Sequence, residues 1–247
     1  MINCDINCDI GEGTGNDAAI MPFITSANIA CGYHAGDENT MRTTIIMAKN
    51  AGVAIGAHPS LLDKENFGRT EMKDMGPKDV YELVTSQLGF IKKIVANSNA
   101  KLHHVKPHGA LYNQSAMDSD LAIAVAQAIY DFDRTLILFG LSGSYSISTA
   151  KTFGIKTASE VFADRTYQDD GTLTPRSQRD ALIEDEEQSV RQVIQMIREG
   201  KVTSTSGKII PIAAETICIH GDGKNAVAFA SKINKKLKDE NINIKAL

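Results

Sequence analysis

The sequence contains no apolar run long enough to cross a lipid bilayer, and its first residues do not follow a signal-peptide pattern. Basic residues are not in excess, since 26 Lys and Arg stand against 30 Asp and Glu, for a formal charge of -4 at pH 7. The scarcity of basic clusters argues against nucleic acid or an anionic membrane as the main partner. We therefore expect a cytoplasmic protein.

Several common reactive signatures are also missing. No GxxxxGK[ST] string occurs, so ATP is not bound through a P-loop. No motif of a serine or cysteine nucleophile is present, which favours hydrolysis by an activated water molecule. The four cysteines, Cys4, Cys8, Cys31 and Cys218, include no Cys-x-x-Cys pair. They fall in predicted strands, so we expect reduced, buried thiols; zinc ligation by them is the less favoured alternative.

What the chain does contain is the composition of a folded α/β protein. Apolar residues make up 43% and charged residues 23% of 247 residues, and no low-complexity linker divides 1–247 into two domains. The patterns predict strands at 1–10, from 26, and at 53–57, 103–106, 135–139, 156–160 and 216–219, with a small hairpin within 202–212. Helices are predicted at 17–22, 39–50, 77–97, 118–131, after Gly143, and at 184–199 and 225–239. This alternation predicts a largely parallel sheet closed, or nearly closed, into a TIM-like barrel.

The first predicted strand, MINCDINCDI, alternates apolar and polar residues without a break. Its polar face carries Asn3, Asp5, Asn7 and Asp9. A strand covered by helices on one side has no water on that side, so in a barrel this polar row would line the interior.

Polar side chains follow most of the predicted strands. They are Asp9, Glu12, His34, Asp37, His58, Lys106, His108, Glu160, Asp164, Arg165, Arg176, His220 and Asp222. The carboxyl ends of barrel strands meet at one mouth, so these side chains are expected to converge there. Only His103, of the six histidines, points away from this set.

Individual residues keep alternative interpretations. Asp37 and Asp222 either belong to the site or cap the helices that follow them. Lys106, near His104 and His108, either binds a carboxylate or has a lowered pKa, because an unpaired buried ammonium is costly.

The two arginines after the sixth strand differ in context. Arg165 can pair locally with Asp164, whereas Arg176, after a proline in a long loop, is the better anion-binding candidate. Imidazoles and carboxylates without a nucleophile motif support two chemistries: general acid–base hydrolysis, or hydrolysis assisted by a divalent metal held by histidines and an aspartate.

Eight strings together resemble the LamB/YcsF family, and the resemblance runs nearly end to end. They are NCDIGEG (7–13), SANIACGYHAGD (26–37), GAHPS (56–60), ENFGR (65–69), VKPHGALYN (105–113), EVFADR (160–165), PRSQ (175–178) and CIHGDG (218–223). The resemblance implies a single deformed parallel (β/α)7 barrel over 1–247, similar to that of the glycoside hydrolase/deacetylase superfamily. It also implies ATP-dependent opening of the lactam 5-oxo-L-proline (pyroglutamate) to L-glutamate, performed with 5-oxoprolinase subunits B and C.

From these arguments we expect two groups of site residues. The catalytic candidates are Asp9, His34, His58, Lys106, His108 and His220. The substrate-binding candidates are Asn7, Glu12, Asn28, Asp37, Glu160, Arg165, Arg176 and Asp222. In this hypothesis the partner subunits use ATP to phosphorylate the substrate, and this chain hydrolyses the activated species.

Two other functions stay open at this point. One is a stand-alone metal-dependent deacetylase or amidohydrolase, suggested by the barrel and the supply of Asp and His. The other is a non-catalytic subunit that binds a small acid and delivers it to partner enzymes. The sequence does not decide whether a divalent metal is bound or whether the chain forms a homo-oligomer.

Overall fold

In the computed structural model, which describes residues 2–221 and 226–247, seven parallel strands close into a barrel. The strands in chain order are β1 (Asn3–Ile10), β2 (Ser26–Ala30), β3 (Ala54–His58), β4 (Leu102–Val105), β5 (Ile137–Leu141), β6 (Lys156–Phe162), β7 (Lys201–Thr203), β8 (Ile209–Pro211), β9 (Thr216–His220) and β10 (Asn243–Ile244). The barrel runs from β1 through β6 to β9, and pairing of β9 with β1 closes it. Strands β7 and β8 form a separate antiparallel hairpin, and β10 adds to the start of β1.

Helices cover the outside of the barrel. They are α1 (Asp17–Ile20), α2 (Glu38–Ala51), α3 (Pro77–Asn97), α4 (Gly109–Met117), α5 (Ser119–Asp133), α6 (Tyr145–Thr152), α7 (Glu186–Glu199) and α8 (Ala226–Asp239), with a 3-10 turn at Met21–Phe23. Among the described residues, no helix is both long and apolar enough to span a membrane. The predicted TIM-like (β/α)7 barrel and its hairpin are confirmed.

Helix α3 illustrates how the outer layer is specified. It starts at Pro77, whose fixed φ and missing N–H suit the first helical position. Its buried residues include Val80, Val84, Leu88 and Ile91, a spacing of three or four that places them on one face. Burial of each such side chain stabilises the fold by about 1.5–3 kcal/mol.

The structure adds two elements that the sequence did not predict. Helix α4 follows β4 directly, and its buried residues (Ala110, Leu111, Tyr112, Ser115 and Ala116) are spread around the helix. A short helix buried on several sides lacks the one-sided apolar pattern that identifies a surface helix, which explains the omission. Strand β10 is only two residues long and carries no detectable alternation.

Asp5, Asn7 and Asp9 of the polar row in β1 line the barrel interior, as predicted, whereas Asn3 at the start of the strand is exposed. Asp5 and Asn7 have no exposed surface, and Asp9 is 6% exposed. At the amino-terminal end of the barrel, Asp5 accepts hydrogen bonds from the hydroxyls of Thr25, Ser26 and Thr216. This end is therefore filled by satisfied polar groups, and the chemistry lies nearer the carboxyl end.

His104 fills the middle of the barrel because Gly56 leaves room for it. A Cβ at Gly56 would lie 2.0 Å from His104 Nε2. That nitrogen donates to Asn28 Oδ1 at 2.8 Å, and the ring stacks on Phe139 with centroids 4.2 Å apart. The plug of His104 and Phe139 forms the floor below the site.

Candidate active site

A buried ammonium group lies at the centre of the barrel's carboxyl end. Lys106, directly after β4, is 2% exposed. Its Nζ donates to Asp9 Oδ1 at 2.8 Å and to Cys218 Sγ at 3.0 Å, and it lies 3.0 Å from Glu160 Oε1. Three strands, β1, β6 and β9, supply these partners, so the ammonium links opposite sides of the barrel.

The charges of this group are fixed by their mutual contacts. Burial would lower the pKa of Lys106, but Asp9, Cys218 and Glu160 together raise it well above its usual value. Burial would likewise raise the pKa of Asp9, but His58 and Lys106 outweigh it and hold that pKa well below its usual value. The alternative of a lysine with a lowered pKa is therefore wrong. Because its bonds go to protein carboxyls, Lys106 neutralises them instead of offering a free charge to a substrate carboxylate.

Two asparagines hold the carboxyls in place. Asn7 Nδ2 donates to Glu160 Oε1 at 2.9 Å, and Asn28 Nδ2 donates to Asp9 Oδ1 at 2.8 Å and to Asn7 Oδ1 at 2.7 Å. All four side chains are buried. Asn7, Asn28 and Glu160, expected to bind substrate, are thus positioned below the mouth as supports for Asp9 and Lys106.

Three histidines from three successive strand ends meet above this layer, together with Glu12. His34 Nε2 lies 3.1 Å, His108 Nδ1 3.6 Å and His58 Nε2 3.9 Å from Glu12 Oε1. His108 Nδ1 and His58 Nε2 are 2.9 Å apart. Burial lowers the pKa of His34 to about 2 and holds that of His108 well below its usual value, so both rings are neutral at pH 7.

The loop between β3 and α3 brings these histidines together. Gly68 (φ 66°) and Gly109 (φ 56°) lie in the left-handed region, and a Cβ at Gly109 would lie 2.4 Å from the Gly68 oxygen. The Ala110 amide donates to that oxygen at 2.9 Å, which ties the loop to the start of α4. The same loop presents the Phe67 carbonyl, which accepts from His108 Nε2 at 2.9 Å.

A histidine–aspartate pair lies on the opposite side of the mouth. His220 Nδ1 lies 2.9 Å from both carboxyl oxygens of Asp164. The side chains of His220 and Asp164 are 15% and 19% exposed, so this pair reaches solvent. Burial would raise the pKa of Asp164, but His220, with a smaller effect of Arg176, lowers it. A carboxylate that orients an imidazole in this way is typical of a general base.

Two predicted binding residues have other positions. Asp37 is exposed and accepts from the Thr40 amide at 2.8 Å, so the structure supports its alternative role as the cap of α2. Arg165 is buried, and its guanidinium donates to the carbonyl oxygens of Ala181 and Thr174. It therefore holds the long loop after β6, a correction to its expected contact with substrate.

Two further predicted binding residues are Arg176 and Asp222. Arg176 is exposed on the loop after β6, close enough to affect the Asp164 carboxyl. It stays a candidate for anion binding at the rim. Asp222 lies outside the described residues.

Sequence reasoning omitted several groups that the structure places at the site. Ser60 contacts His34, and Cys218 contacts Lys106. Asp164 was expected at the mouth, but it pairs with His220 instead of Arg165. Cys218 lies on β9, on the face that carries His220, so its place in the alternation of that strand is the signal that could have found it. The contribution of Phe67 is a backbone carbonyl, for which no side-chain signal exists.

Comparison with known proteins adds the family. Residues 4–247 match the LamB/YcsF family. The chain belongs to that family. It is 52% identical over 248 residues to the A subunit of 5-oxoprolinase from Staphylococcus haemolyticus, covering 98% of this chain and 99% of that protein. A lactam utilization protein from Thermus thermophilus superposes with a TM-score of 0.92 at 36% identity, over 100% of both chains.

A more distant neighbour shares the fold alone. The family 4 carbohydrate esterase from Streptomyces lividans superposes with a TM-score of 0.52 at 11% identity, covering 99% of this chain and 92% of that chain. The expected similarity to the barrels of deacetylases is therefore confirmed at the level of architecture.

Proposed function

We propose that this chain is the lactam-hydrolysing subunit of an ATP-dependent 5-oxoprolinase, which opens 5-oxo-L-proline to L-glutamate. One observation carries the proposal: the Asp164–His220 pair lies next to an Asp9 carboxylate held by a buried ammonium, since His220 on β9 is the register partner of Asp9 on β1. The relatives support the substrate class, since the Staphylococcus haemolyticus protein is named for 5-oxoprolinase and the Thermus thermophilus protein for lactam utilization.

Opening a lactam requires two proton movements. Water adds its hydroxyl to the ring carbonyl carbon, the C–N bond breaks, and a proton goes to the nitrogen, which becomes the α-amino group of glutamate. When the substrate carries a phosphoryl group, a second water molecule releases that group as inorganic phosphate. In the proposed mechanism His220 takes the proton from water while Asp164 orients its ring and stabilises the imidazolium that forms. His220 then holds a proton that it can give to the departing nitrogen.

The Lys106 layer fixes the electrostatics of the mouth. Asp9 stays ionised across the neutral range because His58 and Lys106 hold its pKa well below the usual value despite its burial. An ionised Asp9 is a poor acid, so its proposed role is to orient a water molecule or a cation above it. Lys106, with a raised pKa, keeps its proton and acts through its positive charge.

The proposal includes ATP and the partner subunits because the opening of the lactam needs a source of free energy. Lactam opening at neutral pH needs coupling to ATP, and this chain lacks a P-loop. We assign phosphorylation of the substrate to subunits B and C and hydrolysis of the activated species to this chain. Arg176, exposed near Asp164, is the proposed contact for the phosphate or carboxylate of that species.

The test is glutamate release from 5-oxoproline and ATP, measured for this chain alone and with subunits B and C. The proposal expects release only in the complete mixture, and a His220→Gln chain to lower the rate by about 10²–10⁴-fold. The matched control is His103→Gln, since His103 is on β4 away from the mouth and its Nε2 contacts the Leu247 oxygen.

Other outcomes would select the alternative functions. ATP-independent cleavage of a simple amide by this chain alone would replace the proposal with a stand-alone amidohydrolase or deacetylase. Full coupled activity in the His220→Gln and Asp9→Asn chains, with 5-oxoproline still bound, would indicate a subunit that only delivers substrate.

A further inference from the structure

Four donor atoms above Asp9 converge on one point. Glu12 Oε1, His34 Nε2, His58 Nε2 and His108 Nδ1 all lie within 4.8 Å of one another. The three imidazoles are buried and Glu12 is partly buried. Glu12 follows β1, and the histidines follow β2, end β3 and follow β4, so four neighbouring strand ends each supply one donor.

The outer nitrogen of each ring is already used as a donor. His58 Nδ1 donates to the Lys106 carbonyl at 2.7 Å, and His108 Nε2 donates to the Phe67 carbonyl at 2.9 Å. His34 Nδ1 lies 2.9 Å from Ser60 Oγ, whose own proton goes to a backbone carbonyl. In its neutral form an imidazole has only one N–H, so a neutral ring whose outer nitrogen donates has a lone pair on its inner nitrogen.

Lone pairs that face one another without a cation repel. His58 Nε2 and His108 Nδ1 are 2.9 Å apart, a distance that requires a proton or a metal ion between or beside them. The carboxylate of Glu12 places a fourth donor atom beside these nitrogens. A proton shared by two nitrogens would not use this atom, whereas a metal ion would use it as a ligand.

The spacing and the outer contacts both suit a metal ion. A tetrahedral ion with bonds of about 2.1 Å places its donors about 3.4 Å apart. The contacts at 2.9, 3.1, 3.6 and 3.9 Å lie on both sides of that value. The rings of His34 and His108 are stacked, with centroids 3.8 Å apart. Metal-bound histidines commonly donate their second nitrogen to a carbonyl or hydroxyl, as all three do here.

The backbone beside the cluster is strained in a way that serves these contacts. Phe67 has φ 58°, a left-handed conformation that bulky side chains rarely adopt. Its carbonyl accepts from His108, and its ring packs edge-on against His34 and His108 at centroid distances of 5.4 and 5.3 Å. Such strain concentrates at functional sites.

A second group of possible ligands, Asp9, Cys218 and His220, is less suitable. The ammonium of Lys106 lies 2.8 Å from Asp9 Oδ1 and 3.0 Å from Cys218 Sγ, where a metal ion would compete with it. The cluster of Glu12, His34, His58 and His108 also offers one more donor atom than this group does.

We propose that Glu12, His34, His58 and His108 bind a divalent transition-metal ion, with Zn²⁺ the best match to three imidazoles and one carboxylate. The inference rests on donor geometry and deepens the proposed function without depending on it. When bound, such an ion supplies Lewis-acid chemistry to a carbonyl or water next to Asp9. Asp9 Oδ2, at 3.4 Å from His58 Nε2, is placed to orient that water.

The experiment is a metal titration of the full chain. Protein treated with chelator and dialysed is titrated with Zn²⁺ by calorimetry, and with Co²⁺ by visible absorption; metal content is measured by mass spectrometry. We expect about one ion per chain and a Co²⁺ spectrum of low coordination number. The His58→Gln and Glu12→Gln chains are expected to lose the Co²⁺ spectrum, and Ser60→Ala to bind about 10–100-fold more weakly.

A control variant and two contrary results complete the test of the metal site. His103→Gln, on the same barrel but outside the cluster, is expected to bind as the wild type does. Far-UV circular dichroism confirms that each variant is folded, and an unfolded His58→Gln chain is replaced by Glu12→Gln, whose shape is conserved. Absence of binding in folded wild-type protein, or unchanged Co²⁺ spectra in both variants, would overturn the proposal.

The outcomes also separate this site from the proposed reaction. Glutamate release by the complete mixture, together with no ion bound by the folded wild-type chain in the titration, would overturn the metal site and leave the reaction. An ion bound through these four residues, without glutamate release in the complete mixture, would support the metal site and contradict the reaction.

Discussion

Replacement of Lys106 with methionine is expected to destabilise the folded chain by about 3–5 kcal/mol at pH 7. Methionine keeps most of the apolar stem and removes the ammonium, which lies 2.8 Å from Asp9 and 3.0 Å from Glu160. These two side chains are 6% and 0% exposed, so water cannot take the place of the lost cation. Removal of one partner therefore leaves buried carboxyls without compensation.

The destabilisation is expected to depend on pH. The folded-state pKa of Asp9 is below its unfolded value, because His58 and Lys106 outweigh the effect of burial. Such a group contributes stability above its unfolded pKa of about 4 and loses that contribution as the pH falls through the folded value. In Lys106→Met the ammonium that lowers the pKa of Asp9 is absent, so most of the stability contributed by ionised Asp9 is lost at every pH. The difference between wild type and variant is thus largest at pH 7 and decreases as the pH falls below about 4.

Urea unfolding followed by far-UV circular dichroism measures this difference, since the chain contains no tryptophan. The matched control is Lys232→Met, which removes a surface ammonium 2.6 Å from Glu187 and 3.1 Å from Glu186. An exposed pair of this kind contributes less than about 1 kcal/mol. Equal losses in the two variants at pH 7, or a Lys106→Met loss that does not change with pH, would refute the reasoning.

Three further predictions concern other parts of the molecule. Asp164→Asn is expected to lower the rate of glutamate release by the complex about 10²-fold or more, with little change in KM, because His220 loses the carboxylate that orients it. An unchanged rate would contradict the role of His220 as the general base. Gly56→Ala is expected to destabilise the chain by about 1–3 kcal/mol, since its Cβ would lie 2.0 Å from His104, whereas Gly89→Ala in α3 meets nothing within 4 Å and is expected to stabilise it by up to about 1 kcal/mol. Thermal unfolding of the two variants measures this contrast, and a similar shift for both would contradict it. The four buried free thiols are expected to react with a thiol reagent only after unfolding, because burial raises the pKa of Cys4 and Cys31 to about 12; rapid reaction of the native chain would be the contrary result.

Much of the fold could be predicted because its pattern is local. The alternation in β1 assigned Asp5, Asn7 and Asp9 to one face, and repetition of strand and helix placed that face inside a barrel. Polar residues at strand ends, such as His34 and His58, could be assigned to one mouth because parallel strands end together. The family resemblance added the number of strands.

The contacts within the mouth could not be predicted in the same way. Whether His34, His58 and His108 converge on one site or lie apart depends on the conformation of the loops. Here that conformation is set by Gly68 and Gly109 in left-handed geometry. The roles of Asp37 and Arg165 depended on which neighbour their side chains reach, and several neighbours suited each of them. Contacts between loops that are far apart in the sequence produce no periodic pattern of residues from which they could be predicted.

The most direct test of the account is glutamate release by the complete B and C mixture with an Asp9→Asn chain in place of the wild type. Asparagine keeps the shape of Asp9 and removes the charge that lies 2.8 Å from Lys106 and 3.4 Å from His58. With folding confirmed by circular dichroism and Lys232→Met as the active control, the account predicts a rate at least about 10²-fold below wild type. Undiminished glutamate release by folded Asp9→Asn would contradict the claim that the carboxyl end of this barrel opens the lactam.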